Sequence, residues 1–200
     1  MKAEKITYAM GALTAEGALI YDETISGKRP AVLVAPNWMG MTAAALERGK
    51  LVAGDRYVVF VADMYGQGTR PADFGEAAKL ANPLRENAVE QRKRIRAAHD
   101  AMIAEVGKRN LIDGRRAAVG FCFGGGNVLE LARDGADIVA FSRNEGLFAG
   151  GSIDGSVVVK RDDWNSEFYG PGATPHGIVI DQKFSSPKAD RFRESLQSTQ

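Results

Sequence analysis

The sequence predicts one α/β domain over residues 1–200, with a mostly parallel central sheet flanked by helices. Three observations carry that expectation. Ala31-Val-Leu-Val-Ala35 and Tyr57 to Ala62 are unbroken apolar runs of strand length, the mark of central strands buried on both faces. A helical stretch, Ala43 to Ala53, lies between them, so strand and helix alternate as they do in parallel sheets. Residues Arg116 to Asn127 read as a third buried strand, a tight glycine turn and the start of a helix. At 200 residues and 44% hydrophobic content the chain suits a single core.

In chain order, Lys5 to Ala9 and Gly17 to Tyr21 are short apolar segments punctuated by Gly11 and Gly17, which predicts an antiparallel N-terminal hairpin. A turn at Gly27-Lys-Arg-Pro30 leads into the Ala31 strand. Pro36 to Gly40 leaves that strand as a loop, and Thr42 supplies an N-cap for the helix Ala43 to Ala53. After the strand Tyr57 to Ala62, the segment Asp63 to Pro71 is rich in turn residues. It lies at the carboxyl end of its strand, where ligands bind in open α/β sheets. Leu84 to Val106 carries Ala88, Ile95, Ala98, Met102 and Val106 at three- and four-residue intervals, a long helix with a break near Arg92. His99 lies in the middle of that helix and away from strand ends, which argues against catalysis. The Cys122 strand follows, then a helix from Asn127 to Arg133 and a strand at Asp137 to Phe141.

Gly120-Phe-Cys-Phe-Gly124 is the candidate for chemistry. A nucleophile at the point of a sharp strand-to-helix turn needs flanking glycines so that neighbouring backbones can pass, which gives the pattern G-x-nucleophile-x-G. The following helix would aim its N–H groups at Cys122 and at any oxyanion formed beside it. Gly120-x-x-x-Gly124-x-Gly126 also has the spacing of a dinucleotide-binding turn, so a nucleotide-binding oxidoreductase is the rival reading. That reading lacks an acidic residue at the end of the next strand, which finishes in Phe141-Ser142.

Lys plus Arg is 26 against Asp plus Glu 25, a net +1, so charge draws the chain neither to nucleic acid nor to anionic lipid. One cysteine excludes an internal disulfide and, with two histidines, leaves a zinc site short of ligands. The expectation is no metal and no cofactor. The N-terminus has early charges and no apolar h-region, and no apolar run approaches bilayer length, so a cytoplasmic protein acting as monomer or homodimer on a small molecule is expected.

Three motifs in register carry a more specific likeness: Gly27-Lys-Arg-Pro-Ala-Val-Leu-Val-Ala-Pro-Asn-Trp-Met-Gly40, Val61-Ala-Asp-Met-Tyr-Gly-Gln-Gly68 and Gly120-Phe-Cys-Phe-Gly-Gly-Gly126. From about Lys5 to Phe141 the chain resembles the dienelactone hydrolase (carboxymethylenebutenolidase) family of α/β-hydrolases. Those enzymes work without a cofactor and use a Cys-His-Asp triad on cyclic enol-lactones and other small esters. The resemblance implies Cys122 as nucleophile, the backbone amides of Trp38 and Phe123 as oxyanion hole, and Asn37 and Tyr65 as substrate-binding residues. Asn37 stands where the family often has a glutamate, so a generic small ester or thioester is as plausible a substrate as a dienelactone.

Beyond Ser142 the resemblance continues in pieces. Ser156 to Val159 is similar to the next core strand, Trp164 to Tyr169 to the last one, Gly170 to Gly177 to the loop that delivers a catalytic histidine, and Lys188 to Arg191 to the closing helix. His176 is then the expected base, with Asp163 or Asp162 as the acid that orients it. The family's helix between those two strands has no counterpart here, so the C-terminal part is expected to be truncated or rearranged, with the two strands pairing antiparallel. Three readings follow: a working cysteine hydrolase, a non-catalytic or impaired member that lacks the triad acid, and the nucleotide-binding oxidoreductase.

Overall fold

The computed structural model describes residues 1–143, 156–159, 162–187 and 190. Among the described residues, seven strands form one sheet in the order β1-β2-β4-β3-β5-β6-β7. The N-terminal hairpin is longer than the sequence suggests, β1 (Lys2–Met10) pairing antiparallel with β2 (Leu13–Tyr21) around Gly11, whose φ of 65° is the left-handed conformation that glycine adopts at no steric cost. β2 then lies antiparallel to β4 (Val58–Val61). The centre is parallel: β3 (Arg29–Ala35) sits between β4 and β5 (Ile112–Phe121), and β6 (Val139–Arg143) extends the sheet beside β5. β7 (Ser156–Val159) closes the edge antiparallel to β6.

The two faces are covered by different helices. Leu33, Phe60 and Ala118 face α3 (Ala88–Lys108) and α4 (Phe123–Arg133), where Ile95, Ala98, Met102, Val106 and Leu131 are fully buried against them. Val32, Val34, Val59 and Val61 face α1 (Ala43–Ala53), whose Thr42 accepts a hydrogen bond from the Ala45 N–H as the N-cap. Period-two alternation along β3 and β4 thus sends successive side chains to opposite layers, and both layers are apolar, which is why these strands read as continuous hydrophobic runs.

Three elements depart from the sequence expectation. A helix the sequence reading does not contain, α2 (Phe74–Glu86), precedes α3; Pro83 lies inside it, and the break falls at Asn87, which ends α2 and caps α3, not near Arg92. Residues Trp164 to Tyr169 are not a strand but part of α5 (Asp162–Tyr169). The physical reason is visible in the spacing: Trp164 and Phe168 stand four apart, one helical turn, and Asp162 and Asp163 complement the positive end of the dipole in the first turn. With a helix there, the expected hairpin cannot form. The loop expected at Gly170 to Gly177 contains a short helix, α6 (Pro175–Val179), which starts with Thr174 as N-cap and proline at the first position. The closing helix expected at 188–191 lies outside the described residues, apart from Asp190.

Candidate active site

The strand-to-helix turn after β5 has the geometry the glycine pattern demands. Cys122 sits between Phe121, the last residue of β5, and Phe123, the first of α4, at φ 54° and ψ −115°. A non-glycine residue is held in that region only where its surroundings over-determine it. The surroundings are closely packed: a Cβ on Gly120 would lie 2.1 Å from the Gly124 carbonyl oxygen, and one on Gly124 would lie 2.1 Å from the Ala35 carbonyl oxygen. The two glycines let β5 pass over α4 and let α4 start against the end of β3, leaving Cys122 partly exposed at the tip. Cys122 provides no side-chain cap to α4, and the Gly125 N–H donates to the Cys122 carbonyl at 2.8 Å, which starts the helix at the thiol-bearing residue.

The loop after β3 is stapled beside this turn. The Asn37 side-chain oxygen accepts from the Met39 N–H at 3.0 Å, and the Gly40 N–H donates to the Asn37 carbonyl at 2.9 Å. Asn37 therefore shapes the loop that presents Trp38. It also lines a small open cleft of about 50 Å³ with Val34, Pro36, Thr42, Arg48 and Phe121. Tyr65, expected to meet substrate, is instead buried and donates its hydroxyl to the Trp38 carbonyl at 2.7 Å. Burial pushes that hydroxyl up from its ordinary pKa; Arg85 opposes the rise and Cys122 adds to it, which sets Tyr65 within electrostatic reach of the thiol.

An aromatic wall completes the entrance. The Trp38 ring stacks on Phe74 at 5.6 Å, the Tyr65 ring stacks on Phe123 at 6.0 Å, and the Arg85 guanidinium lies 5.9 Å from the Trp38 ring and 5.5 Å from that of Phe123. Phe74 and Arg85 come from α2, and neither is among the site residues expected from the sequence. A signal was there: Asp73 precedes Glu76 by three residues, and the Asp73 carboxylate accepts the Glu76 N–H at 2.8 Å as an N-cap.

The expected base lies away from Cys122 in this structure. His176 packs at the far end of α4, with Nε2 3.9 Å from Asp134 and 3.9 Å from Asp181. Asp134 is the C-cap of the helix that Cys122 starts, and 12 steps of 1.5 Å separate the two by about 18 Å. At that distance the His176 ring does not reach the thiol in this structure. His99 is no substitute. α3 and α4 run side by side through Gln91 with Asn127, Arg92 with Glu130 and Arg96 with Asp134, so His99 lies beyond even Asp134. Its ring is buried, which holds its pKa below the usual value against the opposing pull of the Asp100 hydrogen bond. Asp162 and Asp163 are exposed in the first turn of α5, three and four residues after the end of β7. The sequence contains two histidines in all, and both are accounted for at the other end of the helical layer.

Comparison with known proteins finds two families whose matches overlap over residues 92–142, a stretch that includes Cys122 and Phe123. The dienelactone hydrolase family matches residues 17–142, and a second family, Las17-binding protein actin regulator, matches residues 92–199. Cys122, Trp38, Asn37, Tyr65 and Phe123 fall inside the first match; His176, Asp162 and Asp163 fall outside it and inside the second. Among solved structures, m3DLH is 35% identical with a TM-score of 0.65, covering 74% of this chain and 60% of its own. A dienelactone hydrolase-like promiscuous phosphotriesterase from metagenomic libraries is 34% identical with a TM-score of 0.64, covering 74% and 62%. Protein YSC84 of Saccharomyces cerevisiae is 36% identical over 61 residues, 30% of this chain and 13% of that protein. The chain thus spans about three fifths of the solved relatives it matches and about an eighth of the curated one.

Proposed function

The chain belongs to the dienelactone hydrolase family through residues 17–142 and to the Las17-binding protein actin regulator family through residues 92–199, and on that premise we propose that it reacts with small esters or lactones through Cys122. The observation that carries this reading is the strained elbow itself, a cysteine at φ 54° between two glycines that have no room for a side chain. In the first half-reaction the Cys122 sulfur attacks the ester carbonyl. A C–S bond forms, the carbonyl electron pair moves to oxygen, and the oxyanion is held by the amides of Trp38 and Phe123. Collapse breaks the C–O bond, the alcohol leaves with a proton from solvent, and an acyl thioester remains. Water then adds to the thioester and the carboxylic acid departs, regenerating the thiol. With no imidazole at hand, that second step depends on solvent alone and is slow. Mass spectrometry after brief exposure to p-nitrophenyl acetate is expected to find one acetyl group on the peptide containing Cys122 and none in Cys122→Ala; acetyl transfer that survives in Cys122→Ala would remove the assignment.

The match over residues 92–199 favours a second role for the C-terminal part, in protein binding. α5 carries Trp164 and Phe168 exposed by 55% and 45%, one turn apart. Binding to purified Las17 is expected, and the pair Trp164→Ala and Phe168→Ala is expected to weaken it about tenfold or more while acetylation of Cys122 continues. Equal binding by the double variant would end this reading of α5.

A further inference from the structure

We propose that Tyr65 is a positioning residue that holds both halves of the oxyanion hole in register, an inference that rests on the reading of Cys122 as acyl acceptor. The two donor amides belong to different elements: Trp38 is in the loop after β3, and Phe123 begins α4. Nothing in the chain connects these peptides directly, yet an oxyanion needs both donors within about 3 Å of one point. Tyr65, from the loop after β4, touches both. Its hydroxyl donates to the Trp38 carbonyl at 2.7 Å, and its ring stacks on the Phe123 ring, centroids 6.0 Å apart and planes 19° apart.

The peptide that follows Trp38 is gripped at both ends. Its oxygen accepts from Tyr65, and its N–H, that of Met39, donates to the Asn37 side chain. Fixing that plane fixes the backbone rotation at Trp38 and with it the direction of the preceding N–H. Gly40 lets the tyrosine come this close, since a Cβ there would lie 3.0 Å from the Tyr65 ring.

Tyr65 is itself anchored to the sheet. The buried Asp63 carboxylate accepts the N–H groups of Tyr65 at 3.0 Å and Gly66 at 3.1 Å through one oxygen, and that of Glu16 in β2 at 3.0 Å through the other. The Tyr8 hydroxyl of β1 donates to the Asp63 carbonyl at 2.9 Å. The brace therefore runs from the N-terminal hairpin through Asp63 and Tyr65 to the loop after β3, and it gives Val61-Ala-Asp-Met-Tyr-Gly66 a task at the site although its side chains do not react.

Tyr65→Phe keeps the ring stack and deletes only the hydroxyl. Two reactions of Cys122 separate a positioning role from a general one. Acylation by p-nitrophenyl acetate passes through an oxyanion, whereas alkylation by iodoacetamide displaces iodide at a saturated carbon and forms none. In Tyr65→Phe the acylation rate is expected to fall about 10- to 100-fold, less than loss of a whole oxyanion donor, with alkylation within about twofold of wild type. Equal loss in both reactions, or unchanged acylation, would overturn the proposal. The Met39 amide resonance reports the brace without any chemistry: it is expected to shift in Tyr65→Phe, and an unmoved resonance also overturns the proposal. Wild type that is alkylated but never acylated would instead sink the reading of Cys122 as acyl acceptor, with the Met39 resonance still reporting on Tyr65.

Discussion

Mixed with excess p-nitrophenyl acetate, this 200-residue chain is expected to release about one p-nitrophenol per Cys122 in a burst, then to turn over about 10³- to 10⁴-fold more slowly. The two phases separate because the two half-reactions need different things. Acylation asks for a nucleophile that is reactive by its own chemistry, an oxyanion hole, and nothing more. Deacylation asks for a water molecule deprotonated beside the thioester, and the imidazoles that could do so stand about 18 Å away at the C-terminal end of α4 and beyond it. His176→Ala and His99→Ala are therefore expected to leave both phases unchanged, and added free imidazole to accelerate the slow phase. Stopped-flow absorbance measures all of this. Rapid sustained turnover that disappears in His176→Ala would show that His176 reaches Cys122 after all.

The second large effect concerns stability. Gly124→Ala is expected to cost about 3 kcal/mol or more, at the upper end of single substitutions, because the new methyl would sit 2.1 Å from the Ala35 carbonyl, a backbone atom of the central strand that cannot step aside. Gly120→Ala meets the Gly124 carbonyl at the same distance and is expected to behave alike. Gly126→Ala is the control. Its Cβ would meet only the Gln91 side-chain nitrogen at 3.4 Å, and alanine is the better helix former by about 1 kcal/mol, so this variant is expected to be neutral or stabilised. Urea unfolding of the three proteins distinguishes packing at the elbow from a generic dislike of substitution in a glycine run; equal stability for Gly124→Ala and Gly126→Ala would mean that α4 does not press on β3 as described.

The sequence by itself determined the N-terminal hairpin, the central strands, the first helix and the strand-to-helix turn at Cys122. The hairpin, the strands through Val34, Val59 and Val119, the helix capped by Thr42 and the elbow at Cys122 are all short-range patterns. Apolar runs, an N-cap and a G-x-C-x-G turn each have one local solution, and the structure adopts it. Helix α2 is not in the sequence reading, although Asp73 caps it locally and Pro83 lies inside it. The segment Trp164 to Tyr169 misled because its likeness to a family strand was set against a helical spacing of Trp164 and Phe168, and the spacing won. What only the tertiary structure decided is which side chains meet. Whether His176 reaches Cys122, and whether the Tyr65 hydroxyl faces a substrate or the Trp38 carbonyl, depends on how helices stack across the sheet. A sequence records residue order, not which end of an 18 Å helix a later loop will pack against, and in this chain it packs against the end that the thiol does not occupy.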